Sequence, residues 1–267
     1  MTGYILAVLI GLSLGLIGGG GSILTVPVLV YFMGVDPLLA TTYSLFIVGF
    51  TSLAGGIKAY TRKLVDFRSI SLFGIPSILA IFIARHFILP VIPEHIFNIG
   101  HLSVNKGRFM MIIFALLMLA AAISMMIKRP DDNSTRIDDP RNDTTLPLLL
   151  PGIVVGLVTG LLGAGGGFLI IPALVLLIKL PIKTAIGTSL VIIAINSTFG
   201  FVFSIGHFAF DWRLLGIFTL LAIAGVFVGG RISQRLDGST LRKGFGWFVL
   251  VMSLYILSKE LFIPIFR

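Results

Sequence analysis

The sequence predicts an all-α integral membrane protein of two inverted-topology repeats, each a glycine-broken hairpin followed by three transmembrane helices. Three observations carry this expectation. The first is composition: of 267 residues, 57% are hydrophobic and 12% charged, and mean hydropathy is +1.08. A soluble domain carries about 25% charged residues, so this chain is short of the polar surface that water requires. Apolar runs recur at 3–33, 38–57, 67–92, 107–127, 147–178, 184–206, 212–230 and 244–263. A run of about 18 or more apolar residues is a transmembrane candidate, and these eight runs describe a polytopic membrane protein.

The second observation is a duplication. Residues 15–30 read GLIGGGGSILTVPVLV and residues 160–175 read GLLGAGGGFLIIPALV, identical at nine of sixteen positions with an offset of 145. The same offset aligns Ala40 with Ala185, Ser44 with Ser189, Gly55 with Gly200, Asp66 with Asp211 and Arg68 with Arg213. Interrupted apolar segments at matching places in two halves point to a transporter's binding site.

The third observation is the distribution of Lys and Arg. Three crossings per half would place the loops 57–68, 128–146, 179–183 and 231–243 on one side. That side collects 14 of the 20 basic residues and leaves 6 on the other, whereas eight plain crossings would split them 11 to 9. The positive-inside rule favours the larger asymmetry. Both termini are then expected outside and the central linker in the cytoplasm.

Taken in order, the chain opens on Met1-Thr2-Gly3 without a basic stretch and runs straight into a long apolar segment. A retained first segment is expected, not a cleaved signal peptide. From Gly3 to Ile17 is 15 residues, roughly 22 Å of helix, too short for a hydrocarbon core of about 30 Å. A hairpin that enters, turns at the glycines and leaves on the same side fits this length. The first repeat spans 1–127, the hydrophilic linker KRPDDNSTRIDDPRNDTTL spans 128–146, and the second repeat spans 147–267.

Glycine runs at membrane depth carry the site expectation. Unwound backbone there must be buried in protein or line a wet cavity, and Gly brings bare amides up to a ligand. Gly18, Gly19, Gly20, Gly21 and Ser22, with Pro27, form one tip; Gly163, Gly165, Gly166, Gly167 and Pro172 form the other. The prolines suit the first turn of a second half-helix or a kink in it, and a helix N-terminus suits an anion. Two tips meeting at the midplane would make a pseudo-two-fold site. The other reading of the glycines is close helix packing. Ser44, Ser189 and Asn196 follow in the next span of each half, either as neutral donors to an oxyanion or as interhelical hydrogen bonds.

Asp66-Phe67-Arg68 and Asp211-Trp212-Arg213 begin the third span of each half, where Asp caps a helix and the aromatic suits the interface. Arg85 and Arg231 are expected to snorkel outward, where either could screen an anion's entry. His86, His95 and His101 share one loop with Glu94 and read as an interfacial segment, so no metal ligand is expected. The absence of cysteine excludes disulfides and thiolate metal sites. The net charge of +9 sits in loops facing anionic lipid, and no nucleic-acid partner is expected. No Lys-Ser/Thr follows either glycine run, so no nucleotide or other cofactor is expected.

The two glycine–proline blocks, with the downstream segments ATTYSLF and AIGTSLV, resemble the TauE/SafE (TSUP) family of membrane transporters, and the likeness covers the whole chain. That family is associated with moving sulfur-containing anions and organic acids, notably sulfite and sulfonates, usually as export. The resemblance implies a secondary transporter in a bacterial or archaeal plasma membrane, exporting sulfite or an organosulfonate by alternating access. It carries the family's glycine blocks onto 18–21 and 163–167 and its prolines onto Pro27 and Pro172. Ala164 replaces Gly19 and Gly167 replaces Ser22 in the second copy, so unequal tips are expected. The expected partners are a small anion and the lipid bilayer, with proton coupling and oligomeric state left open. An anion channel or a membrane subunit of a larger complex is the alternative. An intramembrane enzyme is disfavoured, because the spans hold no Cys and no mid-span Asp or Glu.

Overall fold

Glycine, proline and capping aspartates set the element order. The structure is a computed structural model that describes residues 2–99, 102–126, 146–163, 165–177, 180–205, 210–232 and 238–262. The linker at 128–146, up to its last residue, lies outside these, as do Ala164, His101 and His207. Helix α1 (Thr2–Ile17) runs into a tight 3-10 turn (Gly18–Leu24) that leads to α2 (Thr25–Met33). A side chain at Gly3 would collide with that of Met33, so the start of α1 lies beside the end of α2. This is the hairpin that the length of the run requires.

Gly34 ends α2 in the left-handed region at φ 70°, its N–H bonded to Leu29 O, the usual glycine stop. Asp36 then caps α3 (Pro37–Thr61), accepting from Leu38 N at 2.9 Å and Leu39 N at 3.2 Å, with Pro37 in its first turn. Asp66 caps α4 (Phe67–Ile83) by accepting from Ser69 N at 2.9 Å. Asp211 caps α10 (Trp212–Ile232) by accepting from Arg213 N and Leu214 N, each at 3.0 Å. Both aspartates thus do the capping expected of them, and Phe67 and Trp212 beside them are exposed as belt residues should be.

Helix α4 continues through a π turn (Ala84–Ile88) and a short α5 (Leu89–Val91) into an antiparallel hairpin of β1 (His95–Ile99) and β2 (Leu102–Asn105). This hairpin is the only β structure among the described residues, and it occupies the segment expected to be interfacial. Helices α6 (Lys106–Met126), α7 (Leu146–Leu162), α8 (Gly167–Leu177), α9 (Ile182–Val202) and α11 (Gly238–Phe262) complete the chain. Five helical stretches are long and apolar enough to cross a membrane: Pro37–Thr61, Phe67–Val91, Lys106–Ile123, Lys183–Val202 and Trp212–Ile232. The 25-residue α11 lies against α6. Ile75, Leu79 and Leu220 are 60 to 69% exposed, which suits hydrocarbon and not water.

The two halves interlock. Helix α1 packs along α10, and its counterpart α7 packs along α4. Both pairs run parallel: Gly11 and Gly15 face Ala222 and Val226, while Gly152, Gly156 and Gly160 face Phe73, Ser77 and Ala84. Small residues four apart let the backbones touch, and in lipid such packing replaces the hydrophobic drive that water would supply. The matched helices α3 and α9 run antiparallel, Gly49 lying against Ser197 and Gly56 against Val191. The pair α6 and α11 is also antiparallel, Arg108 in the first turn of one reaching Glu260 near the end of the other at 3.4 Å. Cross-half hydrogen bonds repeat the same exchange. Asp66 N–H donates to Thr188 Oγ1 at 2.9 Å and Asp211 N–H donates to the Tyr43 hydroxyl at 2.7 Å, and Tyr43 and Thr188 are matched positions.

Candidate functional site

Four glycines at the tips hold conformations that side chains resist. Gly18 has φ 75°, and Gly163, Gly165 and Gly166 have φ of 70°, 66° and 70°. These are left-handed values that glycine adopts without strain. The two tips come together, because a Cβ built on Gly19 would stand 2.7 Å from Gly167 Cα and 3.2 Å from its carbonyl carbon. They do not meet head to head. Each leading glycine passes on to the first turns of the other half's long helix: Gly18 lies against Ile186 of α9, and Gly163 against the backbone of Thr41 in α3.

The tips differ in how they turn. Gly18–Leu24 winds as a 3-10 turn straight into α2, and Ser22 donates its hydroxyl to Gly19 O at 2.7 Å. The first tip is therefore not the bare helix N-terminus expected from sequence, because i→i+3 bonding takes up its amides. The second tip has three left-handed glycines in a row of four residues. Its next helix is capped by Gly166 O, which accepts from Leu169 N and Ile170 N at 3.0 and 3.1 Å. Pro27 is the third residue of α2, within the first turn as expected; Pro172 is the sixth residue of α8, beyond it.

The candidate hydroxyls divide. Ser44 lies in α3 between Thr41 and Val48, which touch Gly163 and Gly165, so it sits on the strip facing the second tip. Its Oγ is buried without a hydrogen-bond partner. Ser189 occupies the matching strip of α9 between Ile186 and Ile193, which touch Gly18 and Gly19, but its hydroxyl donates to Ile186 O at 2.8 Å. Asn196 Oδ1 accepts from Ser77 Oγ at 2.9 Å while Nδ2 has no partner. Ser197, beside Gly165, is a further buried hydroxyl without one. A buried donor with no partner costs about 1–3 kcal/mol, so such a residue at a site is costly unless something else uses it. Ser44→Ala is expected to leave stability unchanged or slightly raised and to weaken substrate binding about fivefold, a loss of one neutral hydrogen bond. A KM for anion uptake equal to wild type would remove Ser44 from the site.

Sequence reasoning misplaced one residue. Arg85 does not snorkel: it is 5% exposed and turns into the bundle. Its Nη1 donates to Thr42 Oγ1 at 3.0 Å and Ser204 Oγ at 3.1 Å, and Nη2 donates to Thr41 Oγ1 at 3.3 Å, while Nε has no partner. The available signal was its place inside the apolar stretch 67–92, where an ionisable residue defaults to a functional reading. Arg231 is exposed, as expected. His86 is exposed and stacks on Phe82 at 5.3 Å.

Comparison with known proteins places the chain. The family model described as Sulfite exporter TauE/SafE matches residues 4–256, and the chain belongs to that family. It is 30% identical over 262 residues to a probable membrane transporter protein of Xylella fastidiosa, covering 94% of this chain and 92% of that one. It is 28% identical over 256 residues to the probable membrane transporter protein YunE of Bacillus subtilis, covering 88% of each. A probable membrane transporter protein of Methanocaldococcus jannaschii is 26% identical over 274 residues, covering 94% of both chains. No solved structure matches.

Proposed function

We propose that this member of the TauE/SafE family, an integral membrane transporter, exports a small oxyanion of the sulfite or organosulfonate class by alternating access between its two interlocked halves. The crossing of the glycine tips at Gly19 and Gly167 is the observation that carries the reading. A backbone that departs from helix deep in an apolar bundle is tolerated where it lines a binding cavity. At the second tip Gly163, whose own N–H bonds Thr159 O, turns the chain so that Gly165, Gly166 and Gly167 present peptide amides, and Ser44 and Asn196 add neutral donors. Gly18 to Gly21, Ser22, Pro27 and Ser189 shape the opposing tip and its helices, and Pro172 lies in the helix that leaves the second tip.

The inverted arrangement is part of the proposal. Antiparallel pairing of the matched helices α3 with α9, and α6 with α11, supports it. Two units related by an axis in the membrane plane can rock against each other and open their shared site to alternate sides. In the cysteine-free chain, single cysteines at Thr2 and Ser134 are expected to react with an impermeant maleimide from opposite faces of oriented vesicles. Reaction from the same face would refute the inverted arrangement.

Flux tests the function. The purified chain in proteoliposomes is expected to move sulfite saturably and to prefer it to sulfate and acetate, in assays with and without a pH gradient. Accelerated exchange by sulfite on the far side would separate a carrier from a channel. Absence of movement across sulfite, sulfonates and carboxylates would refute the proposal.

A further inference from the structure

Guanidinium chemistry makes the surroundings of Arg85 specific. The group has five N–H donors and no acceptor. Three donors are used on the hydroxyls of Thr41, Thr42 and Ser204; Nε–H and one hydrogen of Nη2 remain. Nε and Nη2 flank one side of the planar group, the side that holds a two-oxygen anion with parallel hydrogen bonds. The Thr41 and Ser204 hydroxyls donate their own hydrogens to Leu38 O and Gly200 O, at 2.7 and 2.8 Å, and so face Arg85 as acceptors. Thr42 accepts from Arg85, and its hydrogen has no acceptor among the described residues. Every unused group here is a donor.

No carboxylate among the described residues pairs with this buried charge. A buried cation without a counter-charge is destabilising, so its presence needs a reason beyond folding. The duplicated half builds the same corner without this cluster. At the offset of 145, Arg85, Thr41 and Thr42 correspond to Gly230, Ile186 and Gly187, and Ser204 corresponds to Ala59. The same corner of the other half closes with four residues that carry no side-chain polar atom, Gly187 lying against Ala59. There the nearest cation to the matched position is Lys58, whose Nζ would stand 3.1 Å from a Cβ on Gly230, whereas the guanidinium with its three hydroxyls lies at the end where Gly163 of the second tip rests on Thr41. The turn bearing Arg85 is also a π turn, Leu89 N–H bonding Ala84 O, a distortion often found at functional sites.

We propose that Arg85, held by Thr41, Thr42 and Ser204, forms an oxyanion-binding pocket at the second glycine tip. Its ligand is a soluble anion with at least two terminal oxygens: sulfite, a sulfonate or a carboxylate. Nε and Nη2 grip two oxygens and the Thr42 hydroxyl donates to the anion. This rests on the reading of the chain as an anion transporter and makes its binding site asymmetric, with a buried guanidinium at one end and the partly exposed Lys58 ammonium at the other.

Titration calorimetry of the purified full-length chain with sulfite, methanesulfonate and acetate reads the pocket without requiring transport. Wild type is expected to bind, and Arg85→Gln to bind about 30-fold more weakly, the loss of a charge-assisted pair. Arg85→Lys keeps the charge without the fork and is expected to bind about tenfold more weakly. Chloride, a single-atom anion, is expected to compete poorly. Unchanged binding in Arg85→Gln, or no binding of any of the three anions by wild type, overturns the proposal. Should Arg85→Gln fail to fold, Thr42→Val decides: about fivefold weaker binding supports the pocket, and unchanged binding overturns it. Competition by phosphatidylglycerol would assign the pocket to a lipid phosphate and overturn it as well. Wild-type binding without flux refutes the transport reading alone; flux and binding retained in Arg85→Gln refute the pocket alone.

Discussion

Valine at Gly167, or at Gly19, is expected to cut sulfite flux about 100-fold, the scale of an ångström-sized displacement at a working site, while the chain still inserts. The steric reason is local. A Cβ on Gly167 falls on the carbonyl oxygen and carbon of Gly19, and one on Gly19 stands 2.7 Å from Gly167 Cα. Neither neighbour has a side chain that could swing aside, so the two backbones must part. Insertion is set by the long apolar spans and their flanking charges, which neither substitution touches. The measurement is initial-rate uptake in proteoliposomes, normalised to protein that elutes as a single species. Wild-type flux in both valine variants would show that the crossing of the tips has no part in transport.

Leucine at Gly225 is expected to cost about 3 kcal/mol through overpacking and to lower the temperature at which the purified protein aggregates. Gly216→Leu in the same helix should leave that temperature unchanged or slightly raised. Both sit in α10. A Cβ at Gly225 would stand 2.8 Å from Leu12 N and 3.0 Å from the Gly11 carbonyl carbon, whereas one at Gly216 meets nothing within 4 Å. The contrast isolates the contact between the first half's hairpin and the second half's α10, because helix propensity changes alike at both positions. Equal heat resistance of the two variants would mean that α1 and α10 are not in backbone contact.

Periodicity and punctuation made the elements legible. Asp36-Pro37, Asp66 and Asp211 announce helix starts, and each aspartate accepts backbone N–H bonds where the helix begins. The 15 residues before Gly18 are too few to span a bilayer, and they form one arm of a hairpin. The strands His95–Ile99 and Leu102–Asn105 are less legible, because their apolar residues interleave with His and Asn in segments too short for a firm period. The first tip was read as a helix N-terminus, since four glycines cannot signal whether the chain breaks or tightens into a 3-10 turn.

Local sequence carried the membrane class, the duplication, the two glycine tips and the caps, because each depends on residues near in the chain and on the length a bilayer imposes. Tertiary structure decided which tip meets what. Gly163 rests on Thr41 and Gly18 on Ile186 through an exchange between halves that no pattern within either half encodes. It also decided the fate of Arg85. From sequence that residue lies near the end of an apolar run and could reach water in either direction. Only the convergence of α3, the π turn after α4 and the turn after α9 places three hydroxyls around its guanidinium and holds the charge inside the bundle.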